Sequence, residues 1–137
     1  MDEKQNLKKV QGIYEFFGKG DIPSIIDLLA EDVDWDVPGT QDIPYCGHYS
    51  GREGVKEFFE KVVSALDVHH YAPSEFFTQK DKVIVLGTER MGVKVTGRTF
   101  ESDWVQIWTL RDGKVIRFRE LINSVTIMKA FQKDDDF

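Results

Sequence analysis

Two runs decide the fold: Phe100-Glu-Ser-Asp-Trp104-Val-Gln106-Ile-Trp108-Thr-Leu110, and, after Arg111-Asp112-Gly113, Lys114-Val-Ile116-Arg-Phe118-Arg-Glu120-Leu-Ile122. Both are rich in aromatic and β-branched residues and alternate in character, the pattern of two long antiparallel strands. The turn decides which side chains share a face. A two-residue Asp112-Gly113 loop pairs Leu110 with Val115 and gathers Arg117 and Arg119 beside Trp108. A three-residue loop with Gly113 left-handed pairs Leu110 with Lys114 instead. Trp104, Gln106, Trp108 and Leu110 then share a face with Ile116, Phe118, Glu120 and Ile122. A slip of one residue flips every side chain, so burial selects the second register. It predicts a broad apolar wall with two polar intruders, Gln106 and Glu120.

Working outward, Val83 to Val95 is the preceding strand. A two-residue Thr96-Gly97 loop pairs Val95 with Arg98, which turns Glu89 inward and Arg90 outward. In that register Trp104 sits between Glu89 and Glu120, with the carboxylates roughly 10 Å apart at the backbone. Before it come a strand from Tyr71 to Thr78 and a Lys80-Asp81 turn. Residues 4 to 18 place Leu7, Val10, Ile13, Tyr14 and Phe17 at helical spacing, stopped by Gly18 and Gly20. Asp21 caps a second, short helix carrying Ile22 through Leu29, with Pro23 in its first turn. Val33 to Val37 is a short strand, and residues 38 to 50 a loop. Ser50 with Glu53 is a capping-box pattern opening a third helix, whose buried stripe is Val55, Phe58, Phe59, Val62 and Leu66. Residues 124 to 132 form a closing helix capped by Ser124, and 133 to 137 an acidic tail. The expectation is one α+β domain over residues 1–137, its sheet packed against three N-terminal helices.

Composition excludes several function classes. A net charge of −6 and a pI near 5 argue against nucleic-acid or anionic-membrane partners. No apolar run approaches the roughly 20 residues that span a bilayer, and the amino terminus has no signal-peptide pattern. The single cysteine, Cys46, fits a reducing, cytoplasmic setting. His69 and His70 are adjacent and would face opposite sides of a strand, and no spacing suggests a metal.

Several stretches together carry a resemblance. They are Gly20-Asp21-Ile22 through Leu28-Leu29-Ala30-Glu31-Asp32-Val33, Tyr49-Ser50-Gly51-Arg52-Glu53-Gly54-Val55, Thr96-Gly97-Arg98, and Trp104 through Gly113-Lys114-Val115 to Phe118-Arg119-Glu120. In this order the chain resembles the nuclear transport factor 2-like superfamily, in its SnoaL-like and ketosteroid-isomerase-like branch. The resemblance implies a cone-shaped, curved, largely antiparallel (mixed) sheet around a deep apolar pocket, and homodimers, often through the outer sheet face. Here Val105, Ile107 and Leu121 amid Asp103, Arg117 and Arg119 suit such a face.

Carried over by position, a ketosteroid-isomerase base falls near Val37 and its oxyanion-hole acid near Gln106. The oxyanion-hole tyrosine falls near Ile13, with Tyr14 one residue away. Both carboxylates are absent, which argues against steroid isomerisation by that arrangement. Polyketide-cyclase-like and epoxide-hydrolase-like members use a carboxylate late in the last strand, and Glu120 stands there. An epoxide-hydrolase aspartate falls on Glu89 in the turn-based register; the alternative alignment keeps Arg90 as the arginine instead.

The resulting expectation is a cofactor-independent site without metal. Glu120 acts as acid or base, with Glu89 and Gln106 assisting, on an apolar small molecule. Trp35, Val37, Tyr14, Phe58 and Phe59 form the wall with Trp104, Trp108, Phe118 and Ile122, and His48 rims the mouth. A carboxylate in such surroundings should have a raised pKa. A non-catalytic binding or dimerisation module is the alternative.

Overall fold

Asp2 opens the first helix: its side chain accepts from Gln5 N at 2.8 Å while the Gln5 side chain accepts from Asp2 N at 3.1 Å. This reciprocal cap precedes α1 (Glu3–Gly18), followed by α2 (Ile22–Asp27) with Asp21 as its N-cap. The computed structural model describes residues 2–133; residues 134–137, most of the expected acidic tail, lie outside the described residues. The remaining order is β1 (Leu29–Val37), β2 (Gly47–Ser50), α3 (Gly51–Ala65), β3 (Leu66–Gln79), β4 (Lys82–Val93), β5 (Thr99–Arg111), β6 (Lys114–Ile122) and α4 (Ser124–Phe131). One mixed sheet runs β2-β1-β6-β5-β4-β3, with only β1 and β6 parallel. The three N-terminal helices and the sheet make the expected α+β arrangement.

Local expectations shift where tertiary partners compete. Leu28 and Leu29 leave the helix because the β6 backbone supplies strand pairing there: Val115 N donates to Leu28 O at 2.9 Å, and Leu29 registers with Val115. Arg52 on α3 clamps the same place, donating twice to Leu29 O at 2.9 and 2.7 Å. The Ser50 side chain makes no capping bond, and Glu53 pairs with Lys56 instead. Asn123, not Ser124, caps α4 by accepting from Thr126 N. Residues 47–50, expected as loop, form β2 because β1 offers them an edge.

Registers differ from the sequence reading in two instructive ways. At the β4–β5 hairpin the loop is longer: Val93 N donates to Arg98 O at 2.8 Å and Gly92 pairs with Thr99. Pairing is therefore offset by two residues, which changes partners and preserves faces. Trp104 faces Gly87 and Glu89 faces Ser102. At the β5–β6 hairpin the loop is the two-residue Asp112-Gly113, both residues at positive φ (52° and 81°). Leu110 pairs with Val115, but Thr109 pairs with Arg117, leaving Ile116 as a one-residue bulge. The bulge restores the phase that burial demands. Gln106 then meets Glu120 and Trp104 meets Ile122, while Arg117 and Arg119 point outward, 3.8 Å from Asp34 and Asp36.

Candidate active site

Glycine at 87 makes the floor. A Cβ there would lie 2.1 Å from Trp104 Cζ2, so only glycine lets the indole lie across β4. Tyr71 stacks on Trp104 at 4.9 Å and 15°, and Tyr14 at 5.9 Å and 17°. Two phenols are thus carried into the interior on one indole.

Their hydroxyls join a directional hydrogen-bond relay. Trp108 Nε1 can only donate, and it donates to Tyr14 Oη at 3.0 Å. Tyr14 Oη donates onward to Gln106 Oε1. The Gln106 amide is thereby oriented with both Nε2 hydrogens outbound: one to Tyr71 Oη at 2.6 Å, one to Glu120 Oε2. Glu120 Oε1 has no hydrogen-bond donor among the described residues. The indole at one end fixes the sense of the first bond, because its N–H can only donate.

These groups face a hollow of about 70 Å³, closed by apolar side chains including Ile13, Phe17, Ile25, Val62 and Met91. Glu89 and Glu120 are 8% exposed each. Burial, reinforced by the charge of Glu120, pushes the Glu89 carboxyl up to about 8. Burial pushes Glu120 up to about 7 against the lowering effect of the Gln106 bond. Tyr14, Tyr45 and Tyr71 are raised above the usual phenol range, chiefly by burial, and stay protonated. Two carboxyls that exchange protons near neutrality thus stand among phenols that do not. Such a set can pass a proton to or from an organic molecule and stabilise charge on its oxygen.

The sequence model of the SnoaL-like domain matches residues 10–118. The chain belongs to the SnoaL-like family. A nuclear-transport-factor-2-like protein from Burkholderia xenovorans is 31% identical to this SnoaL-like chain, covering 96% of it and 99% of its own length, with a TM-score of 0.88. A similar protein from Burkholderia pseudomallei, described as of unknown function, is 26% identical over 96% and 99%, with a TM-score of 0.84. TerC, co-crystallised with polyporic acid, is 30% identical over 93% and 98%, with a TM-score of 0.80. No curated protein matches the chain significantly.

In this SnoaL-like protein the hollow brings together Glu120, Glu89, Gln106, Tyr14, Trp35, Phe58, Phe59, Trp108, Phe118 and Ile122. Three residues expected in the wall or at its mouth lie elsewhere. Trp104 is 1% exposed beneath the two tyrosines, and Val37 is fully buried away from the hollow. His48, on β2, is exposed and pairs with Asp34. The two carboxyls do not flank Trp104: their β5 partners, Ser102 and Gln106, are four residues apart, roughly 13 Å along the strand. Tyr71 and Tyr45 were missed. Irregular pairing at Val68/His70 resets which side of β3 faces inward, and Tyr45 sits in a loop without periodicity.

Proposed function

We propose that this chain is a small, cofactor-independent enzyme performing acid–base chemistry on a compact, largely apolar molecule held in the hollow. Isomerisation, aldol-type cyclisation and hydration are the reaction types. One observation carries this reading: two carboxyls, Glu120 and Glu89, share an apolar wall that raises both toward neutrality. Glu120 serves as the principal acid or base; Gln106 orients it, and Glu89 assists. The likeness to TerC supports an organic ligand. Deuterium exchange at the α-carbons of a panel of cyclic ketones tests it. Glu120→Gln should slow exchange about 10²- to 10⁴-fold with the fold retained. Unchanged exchange removes Glu120 from the chemistry.

The small size of the hollow favours a second reading, a non-catalytic binding module, whose ligand would be recovered unaltered. A homodimer through the outer sheet face belongs to the proposal as well. There Phe77, Ile84 and Ile107 align in one cross-strand row and Leu86, Val105 and Leu121 in the next. Arg117 and Arg119, paired with Asp34 and Asp36, border this band. A cytoplasmic location agrees with the lone Cys46. Among the described residues, no helix is long and apolar enough to cross a membrane.

A further inference from the structure

The relay ends in an unspent donor. Tyr71 Oη accepts from Gln106 Nε2, and no acceptor among the described residues takes its own hydroxyl proton. Tyr14 Oη accepts from Trp108 Nε1 and donates to Gln106 Oε1, which leaves both Gln106 Nε2 hydrogens for Tyr71 and Glu120. Beside this donor lies an unspent acceptor. Glu120 Oε2 takes the second Gln106 hydrogen, while Oε1 has no hydrogen-bond donor among the described residues. Tyr71 Oη and Glu120 Oε2, both bonded to Gln106 Nε2, lie less than about 6 Å apart, and Oε1 is the other oxygen of that same carboxyl. A carbonyl oxygen and the hydrogen on its α-carbon fit across such a span.

Tyr71 also occupies a boundary. It lines the inner hollow and, with Tyr14, Phe17, Phe59, Val62 and Leu66, an outer groove between α1, α3 and β3. Its ring meets Phe17 at 4.9 Å.

We propose that Tyr71 is the residue that recognises the occupant, donating its hydroxyl proton to a carbonyl oxygen, and that the occupant is a compact ketone presenting an α-hydrogen to Glu120 Oε1. This assignment deepens the acid–base reading and rests on it for the second contact alone. In the step that follows, the α-carbon–hydrogen bond breaks and its proton moves to Glu120 Oε1. The electron pair of that bond becomes the enolate, whose oxygen keeps the Tyr71 hydrogen bond. Return of the proton to carbon restores the carboxylate, and no oxidant or reductant enters.

Cyclohexanone and methylenecyclohexane, which replaces the carbonyl oxygen with CH₂ in the same shape, separate oxygen recognition from apolar burial. Their dissociation constants, read from indole fluorescence, give a ratio for the wild type and for Tyr71→Phe, which keeps the ring and removes the hydroxyl. The ratio should shift against the ketone by about tenfold in the variant, with methylenecyclohexane affinity unchanged as a control for folding. An unchanged ratio, or a wild type that binds neither compound, overturns the assignment. Deuterium exchange at C2 of bound cyclohexanone is the separate arm. Its absence in a wild type that shows the ratio sinks the acid–base reading and leaves Tyr71 as the oxygen-recognising residue.

Discussion

Trp104 lies across Gly87, its Cζ2 and Cη2 at 2.1 and 2.4 Å from where a methyl group at 87 would stand. Tyr14 and Tyr71 rest on the opposite side of the same indole, so the ring has no room to lift. Gly87→Ala should therefore destabilise the fold by about 1–3 kcal/mol, the usual cost of overpacking, and displace both phenols. Chemical denaturation measures the first effect and ketone binding the second. A variant as stable as the wild type would mean that the indole does not need this contact.

Stability should depend on pH in a particular direction. Glu89 and Glu120 are raised by folding from 4.5 to about 8 and about 7, so the folded state holds their protons more tightly than the unfolded chain. The stabilisation is complete below about 4.5 and is lost as pH rises through 7 and 8. Each group that must ionise steepens the loss by up to about 1.4 kcal/mol per pH unit. Unfolding measured from pH 5 to 9 should show this decline, and Glu89→Gln or Glu120→Gln should flatten it. A base that works as carboxylate also requires α-exchange to rise with pH through about 7.

The relay should respond as a unit. Tyr14→Phe deprives Trp108 Nε1 of its acceptor and Gln106 Oε1 of its donor. Leaving such buried groups unpaired costs about 1–3 kcal/mol. Adding Trp108→Phe should cost less than the sum of the single changes, because one of those orphaned groups disappears with it. Additive costs in a double-mutant cycle would show that the bonds are energetically independent.

The outer sheet face offers a plain test of assembly. Leu121, 41% exposed, stands beside Val105 in the apolar band. Leu121→Asp should convert a dimer into a monomer in sedimentation at micromolar concentration while leaving ketone binding intact. A wild type that already sediments as a monomer rules this interface out.

Much of the architecture was legible because alternation survives errors of even size. Glu89 was expected inward from a loop two residues too short, and it is inward because an offset of two changes partners without changing sides. Glu120 was reached by a different compensation: the three-residue turn inferred from burial is a two-residue turn plus a bulge, and the phase is the same. What stayed hidden depends on contacts between distant elements. Nothing around Tyr71 marks its side of β3, because the irregularity at Val68/His70 is imposed by pairing with β4. Trp104 was read as wall because its covering by Tyr14 and Tyr71 involves residues about ninety and thirty positions away. The SnoaL-like resemblance supplied the cone and the late carboxylate, but the Trp108–Tyr14–Gln106 relay is a property of these side chains.

Ile116 is the spare link of this hairpin. It opposes no residue of its own on β5, so a chain lacking it could still match Leu110 with Val115 and Thr109 with Arg117 as consecutive rungs. Trimming that single position should straighten the ribbon and leave Glu120 at home opposite Gln106. Length there is negotiable, and a shortened gene encoding the deletion should still yield a protein that grips cyclohexanone.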